Sequence, residues 1–440
     1  MSKKYVIVGG GIAGLFSALL LSKQGHKVTV VEKAGEVGGL LRSIPLFKDD
    51  IFFDFGTHIL TETGVLEIDE LLFSGLDAHT YDFVKVGTYK DFLYERNGFI
   101  TDFSLSESDR KNFLTELIVS KPKDKYSSLE EQLINSFGKG YYENLLKDSI
   151  QKFFFTSAKN LVPDAHLLFG LGRIIVADEE KTKELKNNKK IDSVIGFHSN
   201  KDGLSRGKAF YPKKGGVGQW IETIVPRLKK EGVEILTDCN IQNLSIEDNK
   251  ISRVDTDQGN FYTDELLWTI SPFLLLQLLK INPSKSEPPK LLSSAIFNFV
   301  VDRNYLTDVH YLQCHNKNCL SFRVTLYNNF TPRNDEYFLI TTEVLLESPT
   351  ADLSEIEDKV FKELIEMNIV SKATNKIFSQ NHLIANGFPV PTEKFIENSQ
   401  NQNKLAEESY ENIKVFGKCS GKNWFMNDIV INIHNSLNKQ

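Results

Sequence analysis

A run of glycines near the N-terminus constrains this chain more than any other feature. Tyr5 to Val8 form a short apolar strand pattern, Gly9-Gly10-Gly11-Ile12-Ala13-Gly14 follows at once, and a helix pattern carrying Leu15, Ala18, Leu19 and Leu21 comes next. This is G-x-G-x-x-G in the strand, turn and helix setting it requires. Gly9 permits the tight turn, Gly11 lets a pyrophosphate approach the backbone at the helix N-terminus, and Gly14 lets the helix pack closely on the strand. Ile12 and Ala13 are counted with them as binding residues. A second strand, Lys27 to Val31, ends at Glu32 with Lys33 beside it. An acid there accepts hydrogen bonds from an adenosine ribose and repels a 2′-phosphate, which disfavours NADP. Strand, helix, second strand and acid fall in order within one βαβ unit, so dinucleotide binding is expected.

Composition removes several other classes. The 440 residues suggest two or three domains, and 41% hydrophobic with 11% aromatic residues is enough for a large core. A net charge of −6 offers no footprint for nucleic acid. No apolar run approaches the roughly 20 residues of a spanning helix, so a soluble protein is expected and membrane association is not evident. Lys3-Lys4 before an apolar run looks like the start of a signal peptide, but the glycines interrupt the run and no small-residue cleavage pattern follows. Cys239, Cys314, Cys319 and Cys419 are too few and scattered for a disulfide framework, which fits a reducing cytoplasm. Cys314-His315 with Cys319 offers three metal ligands and no evident fourth, so no metal is expected.

After Glu32-Lys33 the chain runs through Gly35 and Gly38-Gly39 to Arg42, then to Phe53-Asp54-Phe55-Gly56-Thr57-His58. Consecutive glycines let backbone N–H groups approach phosphate or ribityl oxygens, and Arg42 adds a charge-assisted contact. Here the sequence resembles the FAD-binding superfamily that includes protoporphyrinogen oxidase, monoamine oxidase, phytoene desaturase and UDP-galactopyranose mutase. In that superfamily, the resemblance implies, Gly38, Gly39 and Arg42 on one side and Gly56, Thr57 and His58 on the other bracket the flavin. Two later blocks extend the likeness. Phe210 to Gln219, with Gly215-Gly216-Val217-Gly218, leads into a helix ending near Lys230, and the backbone near Ile241 is implied to hold adenine. Val415-Phe416-Gly417-Lys418 and Trp424 to Ile429 look like the family's C-terminal motif. There Gly417, Lys418, Met426, Asn427 and Ile429 are implied to meet the flavin pyrimidine, where a helix N-terminus stabilises negative charge.

The implied fold class is α/β: a Rossmann-like, doubly wound FAD-binding domain built from discontinuous segments, with an α+β substrate domain made of an antiparallel sheet and a helical cap. The segments expected are 1–65, 206–280 and 405–440 for the FAD domain, 66–205 for the helical cap and 281–404 for the sheet. Ser106-x-x-Asp109 and Ser127-x-x-Glu130 read as capping boxes at helix starts. Asp178 to Lys190 is nearly all charged or amide and reads as a solvated loop or frayed helix. Ala295 to Leu346 alternates in short runs, with Asn-rich turns at 315–318 and 328–329, and reads as an antiparallel sheet. Within it, the segment around Arg323 resembles one in mutase-like and protoporphyrinogen-oxidase-like flavoproteins of cell-envelope polysaccharide pathways. Arg323 is then expected to pair with a substrate carboxylate or diphosphate, or to form a cross-strand salt bridge.

A flavin carries redox chemistry itself, so the protein need only position the substrate, exclude water and stabilise the reduced ring. His58 and Arg323 are the two residues expected at the reacting centre, His58 either to transfer a proton or to orient its loop. The leading expectation is an FAD-dependent oxidoreductase taking a hydride from a C–N or C–C bond of a small, anionic molecule. The alternative is a nucleotide-sugar mutase using reduced FAD without net redox; Trp424-Phe425, where mutases carry tyrosines, speaks against it. A third class is a protein that holds FAD without turnover. The oligomeric state stays open.

Overall fold

A computed structural model describes residues 2–82, 84–90, 93–97, 106–175, 177–196, 207–282, 290–418 and 423–438. Cys419, among the cysteines considered above, lies outside the described residues. Five parallel strands make the first sheet, in the order Glu234–Leu236, Lys27–Val31, Lys4–Val8, Glu265–Trp268 and Ile413–Val415. Such strands are buried on both faces and therefore read as continuous apolar runs. Tyr5 and Ile7 point into one layer with helix Ile12–Lys23, helix Gly218–Lys230 and helix Met426–Leu437. Val6 and Val8 point into the other, against helix Pro272–Leu278 and a three-stranded antiparallel sheet, Ile241–Glu247, Lys250–Thr256 and Gly259–Tyr262. The core is thus Rossmann-like, with helices on one face and a small antiparallel sheet on the other.

A second sheet holds seven strands in the order Lys376–Pro389, Leu291–Val301, Phe338–Leu346, Ser321–Leu326, Tyr311–Cys314, Val86–Lys90 and Leu93–Asn97. It is antiparallel except where Tyr311–Cys314 lies parallel to Val86–Lys90, a correction to the all-antiparallel reading. Two of its strands come from the stretch 66–205, which is therefore not wholly helical. Alternation sets what each face does. Phe297, Phe299 and Val301 pack with Val360 and Leu364 of helix Ser354–Glu366. Ile296 and its row neighbours Glu343 and His382 turn the other way, toward the Gly56 loop.

Helices Glu107–Val119, Leu129–Phe137 and Lys147–Phe154 share one aromatic-rich core with the sheet. Ser106 caps the first, accepting from the Asp109 N–H as expected. The second is capped by Ser128, which accepts from the Glu131 N–H, one residue later than the sequence pattern suggested. The Asn-rich stretch at 328–329 lies in a short helix, Tyr327–Phe330, instead of a turn. The charged run also needs correcting. It forms helices Glu179–Leu185 and Lys189–Asp192, and Lys186 is only 2% exposed, paired with buried Asp192 at 2.9 Å. Mixed charge hid an internal ion pair.

Candidate functional site

The glycine run sits where the first strand hands over to its helix. A Cβ on Gly14 would lie 1.9 Å from the Gly9 carbonyl oxygen, so the helix meets the strand more closely than any side chain permits. Gly11 is different: nothing lies within 4 Å of its absent Cβ. One wall of the fingerprint is therefore packed shut and the other is open. Glu32 holds the loop in shape, accepting from the Gly10 N–H at 2.6 Å and the Ala34 N–H at 2.8 Å. The Gly38 N–H donates to the Gly10 carbonyl at 2.7 Å, and a Cβ on Gly39 would sit 3.5 Å from the Gly11 Cα, so the second glycine pair lies over the first. Arg42 donates to the Gly39 carbonyl at 3.0 Å and lies over the Phe55 ring.

Beyond Glu32 and Lys33 opens a cavity of about 360 Å³ lined also by Asn240, Ile241, Trp268 and Ile270. Apolar walls with one carboxylate at the rim suit a flat heterocycle carried on a ribose. Ile241 and Glu32 line the same cavity. Gly417 also approaches this region; a Cβ there would lie 3.1 Å from the Thr269 carbonyl oxygen and 4.0 Å from the Ala13 Cβ. The nearby helix Met426–Leu437 buries Ile429 and packs Met426 on the core, while Asn427 donates to Thr61 and to the Glu62 carbonyl. Asn427 is thus held by the loop that follows His58.

The Gly56–His58 loop joins the part of the chain that carries the parallel sheet to the seven-stranded sheet, the two halves of the site. Arg323 and Glu343 are directly opposite on neighbouring strands, and the Arg323 fork donates twice to the Glu343 carboxylate, from Nε and Nη2, at 2.7 Å each. Glu343 is 4% exposed. Burial opposes its ionisation, and Arg323 more than offsets that, so its carboxyl stays below the usual range. The same carboxylate accepts from the Thr57 N–H at 2.8 Å, and the Thr57 hydroxyl bonds that of Thr325. Thr57 is therefore a link between the two halves. Gly56, at φ +98°, leaves the room: a Cβ would lie 2.6 Å from a Glu343 oxygen. The cross-strand salt bridge considered for Arg323 is what forms, through two of its N–H groups.

His58 Nδ1 lies 3.2 Å from the Gly56 carbonyl oxygen. A carbonyl only accepts, so Nδ1 carries the proton and Nε2 keeps its lone pair. Burial brings the imidazole down to about 4; Glu343 pulls upward, and Arg323 and Lys418 push further down. His58, Arg323, Glu343 and Lys418 thus form one electrostatic group, with Lys418 also over the Phe388 ring at 5.5 Å.

Asp54 shares a sequence block with His58 yet works elsewhere. Its buried carboxylate accepts from the Val217 N–H at 2.9 Å, the Tyr211 hydroxyl at 2.7 Å and the Ser43 hydroxyl, so it caps the helix that follows Gly215-Gly216. Burial raises it to about 6 despite those hydrogen bonds. The Asp54 N–H donates to Tyr327, whose hydroxyl bonds Thr341, and Thr341 donates to Asn298. The sequence placed Asp54 and Glu343 in segments that resemble flavoprotein motifs but gave neither side chain a role of its own. A single acid inside the apolar stretch Phe338–Leu346 was the available signal for Glu343, since buried charge needs a partner. Among the described residues, no group of three or more His, Cys, Asp and Glu is placed to hold a metal; Cys314 and Cys319 are buried free thiols. Among them, too, no helix is long and apolar enough to cross a membrane.

A family model for an NAD(P)-binding Rossmann-like domain matches residues 7–68. The chain is similar to 1-hydroxycarotenoid 3,4-desaturase of Flavobacterium sp. (strain P99-3), 25% identical over 326 residues that cover 69% of this chain and 64% of the relative. It is also similar to protoporphyrinogen oxidase 2, chloroplastic/mitochondrial, of Arabidopsis thaliana, 25% identical over 337 residues, 69% of this chain and 63% of that protein. The chain spans a little under two thirds of the length of these curated relatives. Among solved structures, reduced UDP-galactopyranose mutase superposes with a TM-score of 0.72 at 17% identity, over 100% of this chain and 96% of that one. The likeness to the desaturase and the oxidase thus runs in sequence over about two thirds of the chain, and the likeness to the mutase is one of fold.

Proposed function

We propose that this chain is an FAD-dependent oxidoreductase whose dinucleotide runs from the Glu32 cavity, past Gly11 and Gly39, to His58. The observation that carries this reading is the open space at Gly11 in a loop whose other glycines are packed tight. A pyrophosphate needs that space, and a purely structural turn does not. Glu32, Lys33 and Ile241 would hold the adenosine end. Gly9, Gly11, Ile12, Ala13 and Gly14 would hold the diphosphate, with Gly38, Gly39 and Arg42 over it. Gly56, Thr57, His58, Gly417, Lys418 and the first turn of helix Met426–Leu437 would border the ring. When bound, FAD would supply the two-electron chemistry by which a C–H hydride and a proton leave and the substrate's C–N or C–C bond becomes double.

The chain's own groups then do three things. Neutral His58 offers Nε2 as a hydrogen-bond acceptor. Lys418 adds positive charge that favours an anion, since Arg323 and Glu343 cancel. The sheet presents Gln313, Arg323, Glu343 and His382 in one cross-strand row, beside Ile296. Residues opposite one another share a face. A row of four polar side chains favours a small polar substrate with an anionic or carbonyl group over a polyene. Arg323 keeps its Nη1 edge for that group, being 26% exposed as a side chain.

The test is to reduce the protein anaerobically and then add, separately, air and UDP-galactose. Rapid reoxidation by air without a sugar-dependent change supports the oxidoreductase. The second reading is a sugar mutase, whose fold the chain shares as it shares that of an oxidase; persistent reduced flavin with interconversion of sugar ring forms would establish it and overturn the first.

A further inference from the structure

We propose that Glu343 is the positioning residue of this site: one carboxylate that fastens the Gly56–His58 loop to the substrate-side sheet and cancels the charge of Arg323 beside the flavin. This rests on the flavin reading above. Arg323 was the residue the sequence pointed to, yet the geometry gives Glu343 the larger share. It accepts three hydrogen bonds, two from the Arg323 fork and one from the Thr57 backbone, and it does so from a central strand at 4% exposure. Gly56 has no Cβ where the carboxylate passes. The loop bearing His58 belongs in sequence to the dinucleotide half, but its position is set by an acid from the other half. The fork is fixed by the same acid, so only the Nη1 edge of Arg323 is left for a ligand.

A second consequence is electrostatic. With Glu343 ionised the pair is neutral, and the positive charge of Arg323 is withheld from the ring until the pair is disturbed. Removing the acid alone would leave an uncompensated cation, which stabilises the anionic reduced flavin. Removing Arg323 alone would leave an uncompensated anion and do the reverse. Removing both would restore neutrality.

The experiment measures the two-electron midpoint potential of flavin-loaded wild type, Glu343→Gln, Arg323→Gln and the double variant against a reference dye. Glu343→Gln is expected to favour the reduced flavin about tenfold, a rise of about 30 mV. Arg323→Gln is expected to shift the balance by a similar factor in the opposite direction, and the double variant to return within about threefold of wild type. Single shifts of the same sign, with a double variant shifted at least as far, would overturn the electrostatic role. A flavin-free arm tests the fastening: amide hydrogen exchange at Thr57 in the apoprotein should be slow in wild type, nearly as slow in Glu343→Gln, which keeps an acceptor oxygen, and at least tenfold faster in Glu343→Ala. Equal protection in all three would refute it. If Glu343→Ala does not fold, Arg323→Met/Glu343→Met replaces it with the same expectation. Wild type that folds and takes up no flavin would sink the flavin reading, while the exchange arm still decides whether Glu343 holds the loop.

Discussion

The Glu343 carboxylate accepts the Thr57 backbone N–H at 2.8 Å, so a side chain of the seven-stranded sheet holds the Gly56–His58 loop. Gly56 makes that contact possible. Its φ of +98° is strained for any side chain, and a Cβ would overlap a Glu343 oxygen at 2.6 Å. Gly56→Ala should therefore lower stability by about 2 kcal/mol or more. Thermal unfolding of the flavin-free protein measures it, and an unchanged midpoint would show that the loop is not pinned there.

The two fingerprint glycines should separate folding from binding. Gly14→Ala places a Cβ 1.9 Å from the Gly9 carbonyl and is expected to give little folded protein. Gly11→Val meets no protein atom within 4 Å at its Cβ, so it should fold while losing flavin. Circular dichroism together with the visible absorption of bound flavin distinguishes the cases. A folded Gly11→Val that retains full flavin would remove Gly11 from the site.

Asp54 predicts an inverted pH dependence. Its carboxyl is raised from 3.8 to about 6 in the folded protein, so the folded state holds the proton more tightly than the unfolded chain does. That contribution is present below pH 3.8 and is lost as pH rises through about 6, at most about 3 kcal/mol. Asp54→Asn lacks it. The difference in melting temperature, wild type minus variant, should shrink between pH 4 and pH 6.5; a difference that grows with pH would mean that Asp54 is held as a carboxylate.

His58 carries the opposite sign. Its imidazole falls from 6.5 to about 4, so the unfolded chain binds the proton more readily and stability from this group rises with pH across that window. In an NMR titration the ring signal missing from His58→Gln should move with a midpoint near 4. A midpoint above 6 would contradict a neutral, enclosed imidazole.

The buried Lys186–Asp192 pair makes a prediction away from the site. Lys186→Met removes the ammonium that Asp192 accepts from at 2.9 Å and should be destabilising by about 3 kcal/mol, whereas Lys186→Met/Asp192→Leu should recover part of the loss. Denaturant titrations of the helical region report both. Equal midpoints for wild type and the single variant would show that the pair faces water.

What was readable in the sequence follows from how local each feature is. The first strand, its helix and Glu32 are contiguous, and spacing alone orders them. Arg323 and Glu343 are 20 residues apart, and their partner Thr57 lies 286 residues from Glu343, so only the sheet register brings them together. Asp54 was seen as part of a motif, but its work as a cap depends on a helix start more than 160 residues away. Lys186 was misjudged because its neighbours are charged; burial there comes from tertiary packing, which a charge pattern does not encode. The helix cap displaced from Ser127 to Ser128 shows a smaller version of the same limit, since two adjacent serines satisfy one pattern.

The central claim is that the residues from the Glu32 cavity to His58 hold FAD. The direct measurement is an absorption spectrum of the purified protein, before and after incubation with FAD and removal of free dinucleotide, followed by dithionite. The account predicts flavin bands at about one FAD per chain that bleach on reduction and return with an oxidant. Folded protein that shows no such bands after incubation would contradict it.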